Sequence, residues 1–351
     1  MRCTVAETLL AAALARRNGR RPPVWFMRQA GRYHGHYQAL RARHDFMALC
    51  KQPELAVAVT LGPIEDFDFD AAILFSDLLF PLEAMGMGLS YEPGPQLGWH
   101  LESTADLARL RGGSAAAQHM AFQAEALRRL RPRLHPDKAL IGFVGAPFTL
   151  YAYAAAGSHE GFSRQGTAGL SDGRYQGFCE RLVELLAANM VLQAQAGADC
   201  VALFDTAAGA LDPAAYARHV VPPLAEVIGA FRRDCPGVPL IYYSRETGPQ
   251  HWQALAALDL QCLGVDWRHD LAATLQAQSG RWCLQGNIDP EWLLLAGEEM
   301  ERRVRGVWTR VAALPAAARA AWVCGLGHGV LQQTPEDNVR RLIRLQRELF
   351  T

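Results

Sequence analysis

Ala71-Ala72-Ile73-Leu74-Phe75-Ser76-Asp77 is an unbroken apolar run followed at once by a hydroxyl and a carboxylate. A run this short, apolar at successive and not alternate positions, reads as a strand buried on both faces, as in a parallel sheet covered by helices. The same form recurs at 24–27, 139–144, 200–204, 239–243, 262–265, 282–284 and 321–324, each run closing on polar residues or glycines. Stretches such as 177–193 and 214–232 carry apolar residues at helical spacing between the runs. Eight strands alternating with helices give an α/β fold, a (β/α)8 TIM barrel. The 351 residues suit one barrel with insertions, and no low-complexity linker, charge block or repeat divides them. The expectation is a single domain over 1–351 with a helical lead-in at about 1–22. The widest gap, 78–138, should hold a helix and an excursion containing Glu92-Pro93-Gly94-Pro95.

Composition narrows the function classes. Lys+Arg and Asp+Glu both number 35, so the chain lacks the basic footprint of a nucleic-acid binder. Of the 35 basic residues 33 are Arg, with Lys only at 51 and 138; this fits a GC-rich coding bias, and only arginines at special positions would signal anion binding. The eight cysteines form no C-x-x-C and read as free thiols in a reducing compartment. In MRCTVAETLLAAALARRNGRRPP, Glu7 interrupts the apolar run and the basic cluster follows it, the reverse of a signal peptide, so a surface helix ending near Asn18-Gly19 is expected. No apolar run approaches the roughly 18 residues that span a bilayer. A cytoplasmic protein without nucleic-acid or membrane partners is expected.

Barrel enzymes place their chemistry at the C-terminal ends of the strands. Here those positions hold Arg28, Asp77, the segment 145–153, Thr206, Arg245, Asp266, Asn287 and His328. Arg28 and Arg32, in Arg28-Gln29-Ala30-Gly31-Arg32-Tyr33, can reach one pocket while the chain turns at Gly31, which implies an anionic substrate. Asp77, flanked by apolar residues, must find a partner, a cationic ligand or a role as helix cap, because an isolated buried carboxylate is very costly. Tyr151 and Tyr153 offer hydroxyl donors or simple aromatic packing. Gln285-Gly286-Asn287-Ile288-Asp289-Pro290 and Gly325-Leu326-Gly327-His328-Gly329 read as glycine-rich loops after the last two strands, where barrels often hold phosphate. There is no H-E-x-x-H, no H-x-C and no G-x-S-x-G, so neither a metal nor a serine triad is indicated.

Taken together, PVWFMRQAGRY, PELAVAVTLGPIEDFDFDAAILFSDLLFPLEAMGM, GFVGAPFTLYAY, FDTAAGAL, QGNIDP and GLGHGVLQQTPEDNV closely resemble the uroporphyrinogen decarboxylase family, from about Pro22 to the C-terminus. The resemblance implies a (β/α)8 barrel, a homodimer, and a carboxy-lyase that needs neither metal nor organic cofactor. Its substrate would be a tetrapyrrole: the four acetates of uroporphyrinogen III become methyls, giving coproporphyrinogen III in heme biosynthesis. By position, Arg28 and Arg32 match the carboxylate-binding arginines, with Gln29 beside them in the substrate-binding set. Asp77 matches the aspartate facing the pyrrole N–H groups. Tyr153 matches the active-site tyrosine, Thr206 the family's Ser/Thr, and His328 the histidine of the last loop. Phe143 and Phe204 match apolar lining residues. Asp77, Tyr153 and Arg28 form the expected catalytic set.

The chain departs from the family pattern where Gly62 replaces Gln, Glu65-Asp66 a basic pair, Ala207 a larger residue, Gly325 an Asn, and Arg245-Glu246 a Lys-Gly. These departures bear on substrate identity more than on reaction type. The alternatives are a divergent paralogue that binds or decarboxylates another tetrapyrrole, and a zinc-dependent methyltransferase of the same superfamily, against which the missing H-x-C counts.

Overall fold

The structure is a computed structural model that describes residues 7–91, 94–158 and 169–350. Among the described residues seven strands alternate with helices: β1 (Ala71–Ile73), β2 (Ala139–Gly145), β3 (Cys200–Phe204), β4 (Leu240–Tyr243), β5 (Cys262–Gly264), β6 (Cys283–Ile288) and β7 (Trp322–Leu326). Every residue in them is buried, as expected for strands covered on both faces. By contacts the chain forms two compact units, Met1–Phe75 with Arg128–Ile141 and Leu260–Thr351, and Ser76–Leu127 with Gly142–Asp259.

In the first unit β1 runs parallel to the start of β2, and β5, β6 and β7 run parallel in succession. The run expected as a strand at 24–27 is reduced to a single bridge, Val24 to Cys324. Cys324 N–H donates to Pro23 C=O (2.8 Å), Trp25 N–H to Cys324 C=O (3.3 Å), and Asp70 N–H to Val24 C=O (2.9 Å). The segment thus lies between β7 and the approach to β1, where an eighth strand belongs. Side chains end its ladder on both sides. The Asp70 carboxylate takes Val24 N–H (2.8 Å) while gripped at both oxygens by Arg21, and Gln29 Oε1 takes Phe26 N–H (3.1 Å).

A second correction concerns Gln285 to Ile288. They are not a loop but part of β6, because each stays in register with a residue of Val323–Leu326 on β7. Trp308, Trp322 and Phe350 pack edge to face beneath these strands.

In the second unit β3 pairs in parallel with β4, and Ala146 N–H, just past β2, donates to Phe204 C=O (2.9 Å). The helices Pro147–Ala156 and Arg174–Gln195 pack through Phe148, Tyr151, Tyr175 and Phe178. The helical stretch expected at 214–232 is two helices, Pro213–His219 and Val221–Asp234. Pro222 and Pro223 lack an N–H and fit only a first helical turn, so a new helix must start there.

The gap after β1 holds the helices Phe80–Ala84 and Ala121–Leu130, 3-10 turns at Thr104–Arg109 and Ser114–Met120, and an antiparallel bridge between Ser90 and Gln96. Glu92 and Pro93 of the expected excursion lie outside the described residues. Near the N-terminus the helix Leu9–Leu14 is capped by Thr8, whose Oγ1 accepts from Ala11 N–H. The seven described cysteines are buried and none is joined in a disulfide among the described residues. No described helix is long and apolar enough to cross a membrane.

Candidate active site

The first unit carries Arg28, Gln29, Arg32 and His328. Arg28 ends the bridge segment with φ +60, a left-handed turn that swings its exposed side chain away from the buried run Val24–Met27. Gln29 points the other way. It is 1% exposed, and its carboxamide joins Phe26 N–H to Ala71 C=O, with Nε2 donating at 3.0 Å. Tyr33 O–H donates to Gln29 C=O (2.8 Å), and burial pushes that phenol far above its ordinary pKa. The arginine loop is therefore pinned from beneath while Arg28 and Arg32 stay exposed. Neither guanidinium has a hydrogen-bond or ion-pair partner among the described residues. An unneutralised pair of cations on a pinned loop is suited to carboxylates.

His328 stands between two glycines whose missing side chains leave room for their neighbours. A Cβ on Gly327 would lie 2.4 Å from Trp267 N, and one on Gly329 would lie 2.6 Å from Arg28 Cδ. Val330 N–H donates to Met27 C=O (3.0 Å), so the His328 loop is laid against Arg28. At the end of β5 the buried Asp266 accepts from Arg268 at both oxygens, and Asn287 Nδ2 ties Asp266 C=O (2.9 Å) to His269 C=O (2.8 Å). Asp266 and Asn287 thus serve to shape this rim.

The second unit carries Asp77, Phe143, Tyr153, Phe204 and Thr206. Asp77 is half-buried; its Oδ1 accepts from Leu79 N–H (2.8 Å), a local turn and not the cap of the helix Phe80–Ala84. Its loop rests on the end of β2, where a Cβ on Gly145 would lie 2.8 Å from Leu78 O. Phe143 is held from behind by the buried Gln193, whose Oε1 accepts from Phe143 N–H (2.8 Å) and whose Nε2 donates to Phe143 C=O (3.0 Å). Phe143 meets Phe204 at 5.6 Å between ring centroids, giving one apolar wall. Thr206 and Tyr153 are both half-buried.

Behind them lies Asp205, which the sequence reading passed over. It is fully buried, and Thr149 N–H (2.9 Å), Thr149 O–H (2.8 Å) and Tyr242 O–H (2.9 Å) donate to it. Burial pushes its carboxyl up to about 6, against the pull of those donors. The signal was available: Asp205 in Leu-Phe-Asp-Thr has the same apolar flank that drew attention to Asp77.

The departures from the family pattern are accommodated locally. A Cβ on Gly62 would fall 2.4 Å from the His36 ring, which fills that space and reaches Ala58 C=O. Asp66 pairs with the buried His34 (2.7 Å). A Cβ on Gly325 would fall 2.4 Å from Gln285 Nε2, so the Gln285 carboxamide takes the room of an Asn. Arg245 pairs with Glu246, and Ala207 N–H donates to Thr149 Oγ1 (3.0 Å). Among the described residues no three His, Cys, Asp or Glu side chains converge as a metal site requires.

Comparison with known proteins bears on this arrangement directly. The family model described as uroporphyrinogen decarboxylase (URO-D) matches residues 6–349. A uroporphyrinogen decarboxylase of Roseiflexus sp. (strain RS-1) is 39% identical over 333 residues, 93% of this chain and 94% of that protein. One from Syntrophotalea carbinolica is 37% identical over 334 residues, covering 92% of each. Among solved structures, a methyltransferase from Methanosarcina mazei superposes with a TM-score of 0.75 at 18% identity, covering 97% of this chain and 98% of that one, and so shares the fold. With parallel strands alternating with helices, an arginine loop and a glycine-flanked histidine in place, and a family match along nearly its whole length, this (β/α)8 barrel chain belongs to the uroporphyrinogen decarboxylase family.

Proposed function

We propose that the chain is a carboxy-lyase converting the four acetate side chains of uroporphyrinogen III to methyls, giving coproporphyrinogen III in tetrapyrrole (heme) biosynthesis. The observation that carries this reading is the exposed pair Arg28 and Arg32, without ion-pair partners among the described residues, on a loop braced by Gln29 and Tyr33 in a chain of this family. An octa-anionic substrate requires such cations, and guanidinium forks orient carboxylates as well as neutralise them.

Protonation at a pyrrole ring carbon makes the ring an electron sink. The bond from the acetate CH2 to its carboxylate then breaks, CO2 leaves, and the electron pair enters the ring. A second proton adds at the exocyclic carbon to give the methyl, and loss of the ring proton restores the pyrrole. Asp77 accepts from the pyrrole N–H groups and stabilises the cation that develops, an electrostatic effect typically worth a few kcal/mol. Arg28, Tyr153 and a bound water are the candidates to move the proton, and Arg28→Lys and Tyr153→Phe separate the contributions of the two side chains. Phe143 and Phe204 supply an apolar wall, and Thr206 and His328 supply polar contacts to the substrate. Gln29 contributes through the loop it braces. No metal or organic cofactor takes part, and the enzyme works in the cytoplasm as a homodimer; sedimentation of the purified protein tests the dimer.

Comparing wild type with Asp77→Asn on uroporphyrinogen under anaerobic conditions tests the assignment. Turnover by the wild type and its near-complete loss in the variant are expected; equal turnover would remove Asp77 from the chemistry.

A further inference from the structure

Asp205 is a fully buried carboxylate that pairs with no cation among the described residues. Its Oδ1 receives both Thr149 N–H and Thr149 O–H, and its Oδ2 receives Tyr242 O–H, which in turn receives Tyr216 O–H (3.0 Å). Its own N–H donates to Tyr243 C=O (2.7 Å) on β4. Thr149 is the third residue of the helix Pro147–Ala156, so the carboxylate serves as a cap supplied from another strand. Tyr153 lies four residues on, one turn along the same face of that helix. Thr206 is the next residue after Asp205, and Ala207 N–H returns to Thr149 Oγ1 (3.0 Å), which closes the circuit. Two of the residues assigned above to substrate therefore hang from one buried carboxylate.

We propose that Asp205 is a positioning residue for the decarboxylation: by clamping the first turn of the 147–156 helix to the end of β3 and to Tyr242, it sets where Tyr153 and Thr206 stand. This rests on the decarboxylase reading given above. The anion is the form that accepts all three bonds. Once protonated, the carboxyl has a donor where it must accept, and the clamp loosens. The groups that face it are Tyr242 from β4, Tyr216 from the helix Pro213–His219, and Tyr175 and Cys179 from the helix Arg174–Gln195. Burial pushes all four upward, so they remain neutral across the working range. His219, stacked edge-on against Tyr175, is held below its ordinary value by burial and by Arg218. Asp205, pushed up to about 6, and His219, held below its ordinary value, are the members of this cluster that change charge in the acid range, and Asp205→Asn removes only the first.

The test measures kcat and KM against pH for wild type, Asp205→Asn and Tyr242→Phe, each checked for folding by circular dichroism. Asn keeps the shape and two of the acceptor contacts but cannot titrate. It should lower kcat by about 10-fold or more, because small displacements of reacting groups cost that much, while leaving KM within about twofold. It should also abolish the acid limb of kcat that the wild type shows near pH 6. Tyr242→Phe removes one donor to the anion and should move that limb up by about half a pH unit or more, with the plateau little changed. A working wild type whose two variants match it in kcat and in the acid limb overturns the positioning role alone. A folded wild type without turnover overturns the decarboxylase reading and this proposal with it. If Asp205→Asn does not fold, the Tyr242→Phe limb decides, and an unmoved limb counts against the proposal.

Discussion

Gly329 and Arg28 are so close that a Cβ on residue 329 would stand 2.6 Å from Cδ and 2.9 Å from Cγ of the arginine. The loop that carries His328 closes over Arg28 only because residue 329 has no side chain. Gly329→Ala should push the Arg28 stem aside and leave the fold intact, since the atoms displaced belong to an exposed, flexible side chain. The expected result is a fall of about 10-fold in kcat/KM for uroporphyrinogen, equivalent to roughly 1.4 kcal/mol, with an unchanged melting temperature.

Asp77→Asn keeps an acceptor for Leu79 N–H, so folding should be unaffected. The charge opposite the developing cation is lost, and kcat should drop by about 10²–10³-fold, the range seen when one preorganised electrostatic contact is removed. Steady-state kinetics with the variant's circular dichroism beside it checks both halves.

Arg32→Ala removes an exposed guanidinium with no hydrogen-bond or ion-pair partner among the described residues, so it should leave stability unchanged. Substrate binding should weaken by about 10-fold or more, as for a charge-assisted hydrogen bond. The loss should shrink as salt is raised, because screening weakens the wild type's electrostatic advantage. An unchanged KM would place the arginine outside the binding surface.

Gln285 is fully buried, and neither its Oε1 nor its Nε2 has a hydrogen-bond partner among the described residues. It occupies the room left by Gly325, where a Cβ would also come within 3.0 Å of Trp25 O. Gly325→Asn should destabilise by about 1–3 kcal/mol through overpacking. Adding Gln285→Ala to that variant should recover part of the loss, and chemical denaturation of the double-mutant cycle reads the coupling.

Asp205 also sets a pH dependence of stability. Its carboxyl is lifted to about 6 in the fold, from 3.8 in the unfolded chain. Between those values the folded chain holds a proton that the unfolded chain has lost, so this group's contribution falls as pH rises through the window and is flat on either side. The total is on the order of 3 kcal/mol. Denaturation at pH 4 and pH 7 should show Asp205→Asn gaining on the wild type by about that amount at the higher pH.

Much of the barrel was legible because buried strands leave continuous apolar runs: 71–75, 139–144, 200–204 and 262–265 each begin at the residue where a strand begins. The run at 24–27 was misleading since its ladder is ended by Asp70 and Gln29, whose reach depends on the tertiary fold. The glycine in Gln285-Gly286-Asn287 suggested a loop, yet its register with β7 makes it strand. Among the site residues, strand-end position pointed to Arg28, Asp77 and His328, while the resemblance supplied their roles. Asp205 carries the same apolar flank as Asp77, but its role as a clamp was not readable because its partners Thr149 and Tyr242 lie 56 and 37 residues away. The inward turn of the Gln29 side chain was likewise unreadable from its place between two arginines.

The most direct measurement is anaerobic incubation of the purified, metal-free protein with uroporphyrinogen III, followed by chromatography of the oxidised products by carboxyl number. Stepwise appearance of hepta-, hexa-, penta- and tetracarboxylate species, ending in coproporphyrin III, is the result predicted here. Substrate that binds but is recovered with all eight carboxyls would contradict the account and point to a tetrapyrrole-binding protein without decarboxylase activity.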